Sequence, residues 1–227
     1  MLSGESFYFT NSNDITQPLT QWLGLVDYQK SCDLQKMWVE ECFLRRSWMG
    51  KIVGLEHPNT VTLGIRGNNQ LDILDSDYLN ENEFKIHKSP RGGEAVLHSP
   101  GQLVIYPIIN LKLVKMGAKQ YIQWLENSTI EWLKEFGINS FKQGCEPGIY
   151  TKQGKIAMIG VKISRGITSH GIAINLSNQL GHFKAIRCCG VANSRFDSVA
   201  HYKSVNSIES LFNKWATNAI KMLLTSL

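Results

Sequence analysis

No apolar run in this sequence approaches the roughly 20 residues that a membrane-crossing helix needs, so no spanning segment is expected. Residues 1–10 lack both a basic cluster and an apolar core and carry Glu5, so no secretory leader is read there. Charged residues are sparse at 19% and hydrophobic ones reach 43%, which excludes a disordered chain and fits a globular one. The 24 Lys and Arg exceed the 19 Asp and Glu by five without clustering. That argues against a nucleic-acid partner and permits an acidic protein partner. The five cysteines (Cys32, Cys42, Cys145, Cys188 and Cys189) contain no CxxC pair and no zinc-site spacing with histidine. Free thiols in a cytoplasmic setting are the expectation, with no metal, and one thiol is worth testing as a catalyst. Repeats, low-complexity tracts and linkers are also missing, so residues 1–227 read as a single domain.

What is present is helical and strand patterning in irregular order. Residues 28–46 read as a helix capped by Asp27, with Leu34, Trp38 and Cys42 on one face. Residues 52–55 and 61–63 read as short strands across the turn His57-Pro58-Asn59. Residues 102–111 read as a strand in which Pro107 argues for an edge or a bulge. A helix over 118–136 puts Ile122, Leu125, Thr129, Leu133 and Phe136 on one face and stops at Gly137. The near-continuous apolar run 155–163 predicts a fully buried strand, and the alternation of Ile172, Ile174 and Leu176 a half-buried one. A last helix begins near Ser207, with Asn206 and Glu209 at capping-box spacing. The class is α+β (mixed α/β), without a βαβ rhythm.

Three segments carry residue types that folding alone does not require. In Arg91-Gly92-Gly93-Glu94-Ala95-Val96-Leu97-His98, paired glycines allow a close backbone approach, and Arg91 and His98 could face a ligand. Taken alone, a turn before a hairpin accounts for the glycines more simply, and neither phosphate-loop pattern is present. Lys155 opens a buried apolar strand; desolvation would lower its pKa toward neutrality, unless its head escapes to water. Cys188-Cys189-Gly190 offers a thiol that needs a nearby cation or base to react, though taken alone two buried thiols or a strained vicinal disulfide account for it more simply.

The order of these segments is informative where each alone is weak. The series is Arg91-Gly92-Gly93 with His98-x-Pro100-Gly101-Gln102, then Gly154-Lys155-Ile156-Ala157-x-Ile159-Gly160-Val161. His170-Gly171-x-Ala173-x-Asn175-Leu176 and Cys189-Gly190 follow, and Glu56-His57-Pro58 with Thr62-Leu63-Gly64 stands upstream. Together they resemble the octanoyltransferases of lipoate biosynthesis over roughly residues 22–199. Departures from that family's usual pattern are Val96-Leu97 for Thr and an aromatic, Ser99 for Gly, and Cys188 for Pro. Gln143 and Cys145 stand for Arg and Asp, and Asp197-Ser198-Val199 for Thr-Ser-Leu. They leave Lys155 and Cys189 in place and bear on the shape of the acyl site.

The resemblance implies the fold of biotin and lipoate protein ligases, a mixed sheet flanked by helices. It implies acyl transfer without cofactor or ATP, with octanoyl-acyl carrier protein as donor. The acceptors would be lipoyl domains of 2-oxoacid dehydrogenases and the glycine-cleavage H protein. Cys189 would be the thioester nucleophile and Lys155 the acid/base group. Substrate-binding positions would be Arg91 to His98, that is Arg91, Gly92, Gly93, Glu94, Ala95, Val96, Leu97 and His98, with Met158, Ile159, Gly160, Gly171, Ile172 and Ala173. Backbone N–H groups at Gly190 or Gly171 to Ala173 would hold the oxyanion. Lys88, Arg91, Lys142, Lys162, Arg165 and Arg187 are the expected basic rim for acidic carriers. The alternatives are an octanoyl amidotransferase or lipoate ligase of the same fold, and a non-catalytic carrier-domain binding module.

Overall fold

A computed structural model describes residues 16–144, 147–190 and 194–225; Cys145 and the first ten residues therefore lie outside the described residues. In chain order the elements are β1 (Leu19–Leu25), α1 (Tyr28–Leu44), β2 (Gly50–Glu56), β3 (Thr60–Leu63), α2 (Asn69–Asp72), α3 (Ser76–Glu81), β4 (Lys85–Lys88) and β5 (Ala95–His98). There follow β6 (Gln102–Ile109), α4 (Ala118–Lys134), β7 (Gly148–Tyr150), β8 (Lys155–Ser164), β9 (Ile167–Asn175) and α5 (Ile208–Thr225), with 3-10 turns at Leu180–Ala185 and Val199–His201. Six strands form one sheet in the order β1-β2-β6-β9-β8-β7, and β4-β3-β5 form a second.

Local signals explain several boundaries. The Asp27 carboxylate accepts the N–H groups of Gln29 and Lys30 at 2.9 and 3.2 Å and so starts α1. Gly137 takes φ +73° directly after α4, the left-handed conformation that ends helices. At α5 the cap is Ser207 Oγ, which accepts Ser210 N–H at 3.2 Å, rather than the expected Asn206.

The large sheet has a core on each face. One face packs on α4 and α5, which lock through indoles: Trp124 Nε1 donates to Ala219 O at 3.0 Å and Trp215 Nε1 to Thr129 Oγ1 at 3.1 Å. Tyr121, Trp132, Phe212 and Trp215 are fully buried there, each such side chain contributing about 1.5–3 kcal/mol or somewhat more for its size. The opposite face, through Val104, Tyr106, Met158 and Ala173, meets the small sheet and α1. The expected α4 face is thus turned, because Tyr121, Trp124 and Trp132 are larger than Ile122 and take the interior.

Four further expectations change. Pro107 lies in a central strand, paired with Ile52 of β2, not at an edge. On its other side the ladder to β9 stops after Ile105↔Ile172 and resumes at Asn110↔Ile167 in the same register, so no residue is inserted. The break suits a residue without an N–H, and Thr168 Oγ1 occupies the gap, donating to Pro107 O at 2.7 Å and accepting Ile109 N–H at 2.9 Å. The burial expectations for β8 and β9 exchange places. Central β9 is buried nearly throughout, whereas the β8 end of the β8–β9 hairpin runs out to solvent. Two parallel βαβ units do exist among the described residues, since β1 pairs with β2 across α1 and β3 with β4 across α2 and α3; β1 and β4 were not foreseen. Among the described residues no helix is long and apolar enough to cross a membrane.

Candidate active site

Lys155 reaches the small-sheet side of the large sheet through an irregularity in β8. The β7–β8 register passes from Gly148↔Met158 and Ile149↔Ala157 to Tyr150↔Lys155, so β8 carries one extra residue there. This bulge lets Lys155 and Met158, three residues apart, serve the same side, which strict alternation forbids. The Lys155 backbone is clamped on both sides, its N–H on Arg195 O at 2.8 Å and its C=O accepting Asp197 N–H at 3.0 Å. Asp197 is itself fully buried and accepts hydrogen bonds from Thr151 Oγ1, Ser198 N–H, Tyr202 OH and the His201 ring.

Cys189 arrives from the small sheet. Cys188 bridges Ala95 of β5, and Cys189 N–H donates to Ala95 O at 3.0 Å. The nucleophile candidate holds φ +53°, followed by Gly190 at +73°, a left-handed pair that costs a cysteine strain and thrusts its side chain out of the turn. The two sheets thus bring Lys155 Nζ to 3.2 Å from Cys189 Sγ. Lys155 is 4% exposed, and its ammonium also lies over the Tyr150 ring at 5.3 Å.

The electrostatics define a thiolate–ammonium pair. A hydrogen bond with Cys188 outweighs the upward push of burial and, with the Lys155 charge, brings the Cys189 thiol down to about 6. Burial alone would depress Lys155, but the Cys189 sulfur overrides it and holds the amine above its usual range. This reverses the expectation that desolvation would leave Lys155 neutral in the resting enzyme. Cys188 is pushed up by its bond to Cys189 and by burial, and stays a thiol.

Beside this pair lies an apolar cavity between the sheets, of about 20 Å³, lined by Val96, Val104, Met158, Ile172 and Ala173 and closed by Tyr28, Tyr106, His98 and His170. Arg91 is 6% exposed and turned inward, its guanidinium donating to Thr62 O at 2.7 Å, Glu94 O at 2.9 Å and Gly92 O at 2.9 Å. Gly160 makes room for it, since a Cβ there would lie 2.9 Å from Arg91 Cδ. His98 Nδ1–H donates to Gln102 Oε1 at 2.8 Å; His57 Nδ1–H donates to Val26 O at 2.6 Å, and its Nε2 accepts from Tyr106 OH at 2.8 Å. Burial drives His57 to about 4 and His170 to about 3, with Arg91 adding to the second, so these imidazoles are neutral.

The sequence-derived positions divide accordingly. Arg91, Val96, His98, Met158, Gly160, Gly171, Ile172 and Ala173 line the cavity. Ala95 anchors Cys189, Glu94 pairs with Arg66 at 2.7 Å, and Gly92 N–H bonds Val161 O at 2.9 Å. Gly93 turns the loop at φ +90°. Leu97 and Ile159 do not line the cavity; Ile159 packs toward the helical core instead. Of the expected oxyanion donors, Gly190 N–H is committed to Arg187 O, and Ile172 and Ala173 sit in the ladders on both sides, while among the described residues Gly171 is paired only with Gly160 of β8. The basic rim is largely dismantled. Arg91 is inside and Arg187 meets the buried Asp72; Arg165 and Lys142 stay exposed but meet Glu40 and Glu126, and Lys88 and Lys162 are exposed. A separate mouth of about 390 Å³ opens over Cys189, lined by Tyr150, Lys152, Gln153, Ser194 and Arg195. Tyr28, Val104 and Tyr106 escaped the sequence reading, and His170 stood in the quoted motif series without being given a place at the site. Tyr28, Gln35 and Cys42 recur every seven residues on the buried face of α1, and Val104 and Tyr106 alternate on β6, so a signal existed for each.

Known proteins resemble this chain in sequence and in fold. Residues 27–223 match the lipoyl protein ligase A/B catalytic domain. A mitochondrial octanoyltransferase of Arabidopsis thaliana is 36% identical over 180 residues, covering 78% of this chain and 75% of that protein. An octanoyltransferase of Acidobacterium capsulatum is 36% identical over 191 residues, covering 78% and 77%. A crystal structure of lipoate-protein ligase A bound with ATP superposes with TM-score 0.71 at 14% identity, over 91% of this chain and 86% of that one, a likeness of fold.

Proposed function

The chain belongs to the lipoyl protein ligase A/B catalytic-domain family, and from that premise we propose that it is an octanoyltransferase of lipoate biosynthesis working through a Cys189 thioester. Its octanoyltransferase relatives support the transfer. The 3.2 Å contact between Lys155 and Cys189 carries the mechanism. The donor is octanoyl-acyl carrier protein, and the acceptors are lysines of lipoyl domains and of the glycine-cleavage H protein. Residues 1–227 act as one catalytic domain, with the family match over 27–223 in support, in the cytoplasm, where thiols such as the free Cys188 and Cys189 stay reduced.

In the first step the Cys189 thiolate attacks the donor thioester carbon, and the carrier's sulfur leaves with the Lys155 proton. The products are an octanoyl thioester on Cys189, a free carrier thiol and a neutral, buried Lys155 amine. Loss of the thiolate removes what held the Lys155 proton, so burial now makes this amine a base. In the second step the acceptor's neutral ε-amine attacks the thioester, its surplus proton passes to Lys155, an amide forms, and the Cys189 thiolate is restored. Protons balance over the cycle, and no ATP is consumed. Seven tail carbons at about 0.8 kcal/mol each give about 6 kcal/mol of burial. The cavity of about 20 Å³ holds no such tail, so its lining must yield as the tail enters.

Incubation with octanoyl-acyl carrier protein alone tests the reading. Intact mass should rise by one octanoyl group without ATP, and Cys189→Ala should not acquire it. An adduct that needs ATP, or that survives in Cys189→Ala, would overturn the thioester route.

A further inference from the structure

Cys188 stands where the resembled family usually has proline, and no step of the reaction above gives it a role. Its side chain is 2% exposed and packs in the apolar cluster that includes Ala95, Met158, Phe183 and Ile186. The segment's anchor to β5 comes from Cys189 N–H, so the Cys188 side chain is not needed to hold the turn. The two sulfurs are 3.7 Å apart, and among the described residues Cys189 Sγ is the hydrogen-bond partner of the Cys188 thiol.

Which sulfur donates follows from their surroundings. Cys189 Sγ has the Lys155 ammonium at 3.2 Å and is the one that ionises. Cys188 packs in the apolar cluster, and although the Lys155 and Arg91 charges reach it too, it keeps its proton because a second buried anion beside the first would be strongly opposed. We propose that Cys188 stabilises the reacting thiolate: its S–H donates to Cys189 Sγ, so that two donors, one charged and one neutral, hold the nucleophile from different sides. The consequence runs through both steps of the proposed reaction, on which this inference rests. A thiolate so held is more populated near neutral pH and is a better leaving group when the amide forms.

The effect has a recognisable pH signature. A thiolate's reactivity falls as its pKa falls, with a Brønsted slope of about 0.4–0.5. Removing the Cys188 donor should move the Cys189 midpoint up by about one unit. Well below that midpoint, the thiolate population would fall about tenfold while each thiolate became about threefold more reactive, leaving alkylation about threefold slower. Above pH 9, where both forms are ionised, the variant would be about threefold faster. A packing defect would not produce curves that cross.

The experiment is iodoacetamide alkylation of Cys189 in the full chain, followed by mass spectrometry with fragment localisation from pH 5 to 10, alongside thermal melts. Cys188→Ala should give the crossed profile, and Cys188→Ser, which keeps a donor, should return the midpoint toward wild type. A Cys188→Ala profile that superimposes on wild type, or a uniform change at every pH, overturns the proposal. Should Cys188→Ala fail to fold, Cys188→Val supplies the same comparison without the void. Alkylation reads the sulfur and not turnover, so this outcome is independent of whether Cys189 forms the acyl-enzyme, which Cys189→Ala decides separately.

Discussion

Replacing Lys155 by alanine should disable the reaction far more than the fold. The Cys189 thiol sits at about 6 against an ordinary 9.0, partly through the Lys155 charge. Without the ammonium the Cys188 hydrogen bond still opposes burial, so the thiol rises only part of the way toward its ordinary range; a rise of about two units would take the thiolate fraction at pH 7 from roughly nine-tenths to about one-tenth. Loss of the proton donor for the departing carrier adds to that factor, so acyl-enzyme formation should drop by about 10²–10⁴. The stability change is smaller and has a definite pH window. A thiol depressed in the folded state stabilises at high pH, and the contribution disappears as pH falls through about 6. At pH 7 it amounts to about 1.4 kcal/mol, or roughly 3–6 °C in Tm for a domain of this size, and release from burying the ammonium reduces it further. Single-turnover acylation by mass spectrometry and a melt of the same preparations make the comparison. A fall of about 15 °C, or an acylation rate within threefold of wild type, would refute the reasoning.

Gly148→Ala should mimic that loss with Lys155 intact. A Cβ there would lie 2.6 Å from Lys155 Cε and 3.0 Å from Ala157 O. Acylation at pH 7 should fall at least tenfold, and an unchanged rate would mean that the lysine has slack. Lys152→Glu and Arg195→Glu, on the mouth over Cys189, should raise KM for octanoyl-acyl carrier protein severalfold at low salt and leave a small uncharged octanoyl thioester unaffected. Equal effects on both donors would discard charge steering. Peroxide should convert the Cys189 thiolate to a sulfenic acid that condenses with Cys188, with loss of water, to a disulfide. With excess peroxide the untrapped sulfenic acid of Cys188→Ser should pass on to sulfinic acid, which dithiothreitol does not reduce, so wild type should recover and the variant should not, whereas equal recovery would show that Cys188 takes no part.

The parts of the site that sequence exposed were those encoded in order along the chain. Lys155 and Cys189 were legible because they recur in fixed company, and the structure puts their reactive atoms 3.2 Å apart. The Asp27 cap of α1 and the glycine stop of α4 are local effects and read correctly. Features set by the far partner were not legible. Pro107 signalled a missing donor, but only the third dimension supplies Thr168 to fill a gap inside a central strand. The bulge that redirects Lys155 depends on what β7 pairs with. Arg91 looked like a surface charge because nothing in its neighbours announces Thr62, 29 residues away, as the acceptor that draws it inside. Charge totals likewise did not show that Glu40, Asp72 and Glu126 would occupy the expected rim.

Lys155 belongs to the large sheet and Cys189 is pinned to the small one, so the catalytic contact is also a fastening across the seam between them. On the proposed thioester route, acylation would undo that fastening, since a thioester offers the ammonium no charge to grip. The same event would drive an alkyl tail between the sheets, where it would adhere to both walls. The seam would then be held by electrostatic attraction in the free protein and by hydrophobic adhesion in the intermediate. Its mechanical character would change once per turnover, and amide protons along β5 and β8 are where that alternation should be felt as a change in hydrogen exchange.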